Sequence, residues 1–230
     1  VKQVLKDENA SITEAVITHW HHDHTGGQKQ LLELSPNTII YKNSPSEGQL
    51  EITDGQTFHA DGASLRAVFC PGHAQDHMAF VLEEEDAMFT GDNVLGHGTA
   101  VFEDLATYLN SLDQMRRKFL KRAYPGHGPV IEDGPSKILE YISHRKQREE
   151  QVIQVLKSSR SPPEVDAHGS EPDEWTSMEI VKIIYRDVPE NLHLPANGGV
   201  IQILRKLEEE DRVAENPSTE RWRVKDRAAL

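Results

Sequence analysis

The chain has 230 residues, a length that as a soft prior accommodates one large domain or one domain with a small companion. Its 25 Lys and Arg against 38 Asp and Glu give a formal net charge of −13, which disfavours a tight nonspecific grip on nucleic acid unless basic residues cluster locally. At 37% hydrophobic residues it lies above the disordered range, and its single cysteine, Cys70, excludes an internal disulfide, so packing or bound metal must stabilise it.

Residues 1–10 (VKQVLKDENA) lack the apolar stretch of a signal peptide, and no apolar run reaches spanning length, so a cytoplasmic protein with no membrane partner is expected. Residues 12–18 (ITEAVIT), rich in β-branched side chains, predict a buried strand, and residues 27–35 a helix. Strands are predicted over 38–41, 64–69, 78–82 and 87–90. A helix over 105–120 places Leu105, Tyr108, Leu109, Leu112, Met115 and Phe119 at three- and four-residue spacing. Strands with interleaved helices imply a layered α/β domain.

Beyond Pro129 the pattern changes. Residues 135–157 read as a long helix opened by proline, and the proline-rich acidic stretch 158–174 as a linker. Amphipathic helices over 178–185 and 196–210, followed by a ribbon from 212–215 and 221–224, resemble a winged-helix module. The expected organisation is therefore a layered α/β domain over 1–134, a bridge over 135–174 and a small module over 175–230.

The densest chemical signal is residues 18–27, THWHHDHTGG, with His19, His21, Asp23 and His24 directly after a predicted strand. Imidazoles and a carboxylate converging on one loop suit zinc, which takes nitrogen and oxygen donors at about 2.0–2.2 Å. One ion does not easily take them all. Alternation sends His19 and His21 one way, while Asp23 and His24 can address a second ion. Pro71-Gly72-His73, Phe89-Thr90-Gly91-Asp92 and Tyr124-Pro125-Gly126-His127-Gly128 each bring another donor to a turn or strand end.

On these motifs the chain resembles a metallo-β-lactamase-fold hydrolase, an αββα sandwich. The resemblance implies that His19, His21 and His73 hold one Zn2+, that Asp23, His24 and His127 hold a second, and that Asp92 bridges them. It gives Asp23 a catalytic role, orienting the attacking water and taking its proton. Only 18 residues precede His19, so the amino-terminal strands usual in this fold are expected to be missing. Residues 89–105 (FTGDNVLGHGTAVFEDL) and 124–134 (YPGHGPVIEDG) resemble the lactamase-β-2-like branch. Within it they are most similar to fungal acyl-carrier-protein thioesterases of the atrochrysone carboxyl type, which serve non-reducing polyketide synthases in secondary metabolism.

That likeness implies a dizinc thioesterase whose partner is the acyl-carrier-protein domain of a polyketide synthase. The same branch includes single-strand endoribonucleases, which leaves RNA as the alternative substrate, and a truncated inactive copy with a binding role as a third reading. Residues 173–230 carry 9 Lys and Arg against 12 Asp and Glu, which favours the thioester over RNA phosphates. Among the other histidines, His22 is expected to face outward and His77 to hydrogen-bond a ligand rather than bind metal. His97 either lines the pocket or is structural, and Cys70 is expected to be packing.

Overall fold

This computed structural model describes residues 1–158 and 174–225. A short helix, α1 (Lys2–Asp7), precedes β1 (Glu14–Ile17), which is shorter and less buried than its β-branched sequence predicts, since only Ile17 is fully buried. The histidine motif forms a single helical turn, α2 (His22–Thr25), and α3 (Gln28–Leu34) follows where a helix is predicted. Together they provide the crossover that a parallel strand pair requires. The chain then enters β2 (Ile39–Lys42) and β3 (Gln49–Glu51), and the three strands form a parallel sheet with β2 in the centre.

A second sheet holds β4 (Thr57–Ala60), β5 (Ala63–Phe69), β6 (Met78–Leu82), β7 (Ala87–Gly91) and β8 (Ala123–Pro125), in that order. Its first three junctions are antiparallel and the last, β7 with β8, is parallel. The apolar run MAFVL becomes β6, buried at Met78, Ala79, Phe80 and Val81, so both faces of this strand are covered. On one side Ile52, Phe58, Ala67, Met78 and Phe80 pack with Val16, Tyr41 and Leu65, joining the two sheets through an apolar interior. Each large side chain buried this way contributes about 1.5–3 kcal/mol.

The parallel β7–β8 pair is joined through α4 (Leu105–Met115), whose amino end is capped by Asp104 accepting from the Thr107 amide at 2.7 Å. Leu105, Tyr108, Leu112 and Met115 are fully buried on one face of α4. The Tyr108 hydroxyl donates to the Asn93 carbonyl oxygen (2.6 Å) and the Ser111 hydroxyl to that of Pro71 (2.6 Å), which fixes α4 against two strand ends. The helix stops five residues short of the predicted end because the chain turns through Arg116–Lys118, and Phe119 is buried from that turn rather than from helix.

The long helix α5 (Gly134–Lys157) forms as predicted, with Pro135 in its first turn, where a missing amide costs nothing. The chain divides into two units, Val1–Ile142 and Ser143–Leu230, and the division falls within α5. The predicted linker lies, over 159–173, outside the described residues. In the second unit α6 (Ser177–Ile184) starts with a capping box between Thr176 and Glu179. α7 (His193–Glu209) begins three residues before its predicted start, with Pro195 in its first turn. An antiparallel ribbon of β9 (Val213–Asn216) and β10 (Arg221–Val224) completes the unit. Ile180, Val181, Val200, Leu204, Leu207, Val213 and Trp222 form its core. Among the described residues no helix is long and apolar enough to cross a membrane.

Candidate metal centre

Every residue singled out as a donor follows a strand. His19 to His24 lie just after β1, His73 after β5, Asp92 after β7 and His127 after β8. The structure brings all seven together in two groups. His19, His21 and His73 form one and Asp23, His24, Asp92 and His127 the other, with the donor atoms of each group within 4.8 Å of one another. His19 Nε2 and His73 Nε2 each lie 3.0 Å from His21 Nδ1. A tetrahedral ion with bonds of about 2.05 Å separates its nitrogens by about 3.3 Å, close to this spacing. Asp92 faces both groups, its Oδ2 standing 3.4 Å from His127 Nε2 and 3.8 Å from His73 Nε2. Asp23 Oδ2 is 3.0 Å from His127 Nε2 and 3.6 Å from His24 Nε2.

These residues fit metal better than they fit one another. His24 Nε2 and Asp92 Oδ1 are buried and have only each other, 3.4 Å apart and outside good hydrogen-bond geometry, a state that costs about 1–3 kcal/mol for an unsatisfied group. Two of the remaining ring nitrogens are already committed. His73 Nδ1 donates to the Val101 carbonyl oxygen at 2.9 Å, and His19 Nδ1 lies 2.9 Å from Thr18 Oγ1. The first contact leaves His73 Nε2 as the lone-pair nitrogen aimed into the cluster, the arrangement that outer-shell partners impose on metal-binding histidines, and a hydroxyl accepting from His19 Nδ1 would do the same there. Gly126 keeps the space clear, since a Cβ there would overlap Asp92 Oδ1 and stand 3.0 Å from His24 Cε1.

The electrostatics keep the His19 and His73 imidazoles available. Burial, aided by repulsion from His24 and His73, pushes His19 down from 6.5 to about 3, and burial likewise lowers His73. His24 is raised by the Asp92 carboxylate beside it. Burial works to raise Asp92, but His24, His127 and His19 outweigh it and hold the carboxyl at about 2. Asp23 is lowered in the same sense, with desolvation opposed by its own backbone amide, His24 and His127. Neutral nitrogens beside ionised carboxylates are the protonation states that a divalent cation requires.

The neighbouring residues divide into braces and bystanders. His22 is exposed, as expected, and His97 is exposed as well. His77 is fully buried and accepts the Asp92 amide on Nε2 at 3.1 Å, while its Nδ1 faces Cys70 Sγ at 3.3 Å. It therefore holds the backbone that carries Asp92, and burial keeps its own pKa well below 6.5. Gly91 makes room for this ring: at φ +51 a Cβ would fall 2.5 Å from His77 Nε2. Burial pushes the Cys70 thiol up to about 12, which suits packing and not nucleophilic attack. Sequence reasoning missed two braces, Thr18 and the Val101 carbonyl. The threonine between a strand and a histidine motif was a readable signal, whereas a backbone carbonyl 28 residues from His73 leaves none.

Residues 2–127 match the family described as the metallo-β-lactamase superfamily. The chain belongs to that superfamily. Residues 176–222 match the β-lactamase associated winged helix domain, so the second unit is a winged helix. Among curated relatives, the "Lactamase-like protein aptB" of Emericella nidulans is 43% identical, over 99% of this chain and 74% of its own length. The "Atrochrysone carboxyl ACP thioesterase" of Aspergillus chevalieri is 46% identical, over 93% of this chain and 68% of its own. A β-lactamase domain protein of Burkholderia ambifaria shares the fold with a TM-score of 0.77 at 16% identity, covering 97% of this chain and 78% of that one. A superfamily protein of Thermus thermophilus does so with a TM-score of 0.70 at 20% identity, over 97% and 84%.

Proposed function

We propose that the chain is a dizinc thioesterase that hydrolyses an acyl thioester, a polyketide, from the carrier protein of a non-reducing polyketide synthase. The observation that carries this reading is the convergence of seven donors into two adjoining groups. Support for the thioester comes from relatives of 46% and 42% identity that are named atrochrysone carboxyl ACP thioesterases. In this reading His19, His21 and His73 hold one ion, Asp23, His24 and His127 the other, and Asp92 serves both. When bound, the ions supply Lewis acidity, polarising an acyl oxygen and making water nucleophilic at neutral pH.

The chain's own residues do the rest. Asp23 is the exposed carboxylate of the pair, 58% accessible against 11% for Asp92, so it is the one a solvent-side water reaches. It orients that water and accepts its proton. Asp92, inward and braced through His77, fixes geometry. A thiolate leaving group has a pKa of about 8.5 and departs without a protein acid, whereas a ribose alkoxide would need one.

The test gives the purified, zinc-supplemented chain an acyl-carrier-protein thioester and a single-stranded RNA in parallel. Thiol release that stops on chelation, with RNA intact, is expected. RNA cleavage without thioester turnover would reject the proposal in favour of the nuclease. Less than one zinc per chain, with melting insensitive to chelator, would reject it in favour of an inactive binding copy.

A further inference from the structure

Beside the metal centre the first unit carries a groove of about 750 Å³, within the size range of small-molecule sites. Trp20 lines it, with its ring edge-on to that of His21 at 4.5 Å, so the groove adjoins the donor cluster through this residue. Thr25, Gln28, Ser44, Ser46, Gln49 and Gln75 also line it.

Two features of this wall define its ligand. The first is charge. Its one cation, Lys42, donates to the carbonyls of Asn43 (2.8 Å) and Ser44 (3.1 Å) and pairs with buried Asp76, so all three of its protons are committed. Asp76, Glu47 and Glu103 also line the groove, giving it a net negative wall that repels a polyanion. The second is amide chemistry. Gln28 Oε1 accepts from Gln49 Nε2 at 2.8 Å, and Gln49 Oε1 accepts from the Ser46 amide at 2.7 Å, which sets this pair in fixed orientation. Gln28 Nε2 and the exposed Gln75 amide have no protein partner among the described residues. The groove therefore offers oriented amides and hydroxyls, plus one indole face, to a neutral ligand that itself carries amides.

We infer that this groove seats the pantetheine arm of the thioester, with Trp20 as the apolar contact nearest the sulfur and Gln28 and Gln75 bonding the arm's two amides. The inference rests on the thioesterase reading above and deepens it. Gln28, Gln75 and Trp20 become specificity-determining residues, and a ribose-phosphate strand is excluded from the same path by charge.

The test compares the zinc-loaded chain on acetyl-pantetheine, which has both amides, and acetyl-N-acetylcysteamine, which has one. It also follows Trp20 fluorescence while S-methyl pantetheine, which cannot be hydrolysed, is titrated into metal-free protein. Trp20 is 55% exposed while Trp175 and Trp222 are buried, so the signal reports the groove. We expect kcat/KM about tenfold higher for the pantetheine ester, a ratio that falls toward one in the Q28A/Q75A double variant, as lost hydrogen bonds to neutral groups imply. Saturable quenching is expected, and is lost in W20F. Equal kcat/KM on the two esters without quenching overturns the groove assignment while leaving the thioesterase reading intact. Saturable quenching without hydrolysis of either ester supports the groove and overturns the thioesterase reading. Neither hydrolysis nor quenching overturns both.

Discussion

The two units of the chain bury charged groups in opposite ways. In the second, Glu149 accepts Lys206 at 2.7 Å and Arg212 at 2.6 Å, and Glu210 reaches the same two cations. Lys206 stays above its ordinary pKa despite burial because these glutamates face it. That network is closed on itself. At the donor cluster of the first unit, ring nitrogens crowd one another at 3.0 Å, and buried His24 Nε2 and Asp92 Oδ1 have only each other, 3.4 Å away. An unbalanced set of this kind persists only where an outside partner repays it, so the contrast separates a structural ion network from a binding site.

The sharpest way to break the contrast is to remove Asp92, the residue facing both groups. Asp92→Ala should lower thioester turnover by more than a hundredfold, since even outer partners of metal ligands are worth about 10- to 100-fold. Metal content measured by plasma mass spectrometry should fall below two ions per chain. Unchanged activity in that variant would remove the centre from the mechanism.

Next in size is metal removal. A chelator should lower the Tm of the first unit by about 10 °C, the shift that a few kcal/mol of ligand stabilisation produces in a domain of this size. The second unit's transition should not move, which calorimetry can resolve.

A pH titration of metal-free protein should follow. Because His19 falls from 6.5 to about 3 on folding, the unfolded chain binds its proton more readily in that window. Stability is therefore complete above about pH 6.5 and declines as the pH drops toward 3, by about 1.4 kcal/mol per pH unit for each such group. Urea denaturation at pH 7, 6 and 5 checks this, and a flat profile would contradict the burial of His19.

Smaller effects belong to the closed network. Glu149→Gln should destabilise the second unit by about 1–3 kcal/mol, by leaving two partly buried cations short of a partner, without altering the chelator response. At the bottom of the scale, Arg186→Ala in the exposed Arg186–Asp187 pair should give no measurable change.

The sequence exposed these regions unevenly. β6 was legible because it is covered on both faces and so reads as an unbroken apolar run. β3, β4 and β8 were not. Gln49–Glu51 is a short edge strand without a buried residue, Thr57–Ala60 buries only Phe58, and Ala123–Pro125 is a three-residue strand ending in proline. Local crowding made His19 to His24 conspicuous, but His73, Asp92 and His127 stood out only through their glycine-flanked turns and a family likeness. The Lys42–Asp76 pair and the Gln28–Gln49 contact escaped notice altogether, because residues 34 and 21 apart meet only after the strands are paired.

The donors come from both layers of the sandwich, four from the end of β1 and three from the ends of β5, β7 and β8. An occupied centre would rivet one sheet to the other at their rims, where the apolar interior no longer reaches. Amide protons at the tail of β1 and at β7 should then exchange with deuterium as one cooperative block in loaded protein, and at separate rates once the ions are stripped. Loading would thus set how far the layers can part, as well as what they can cleave.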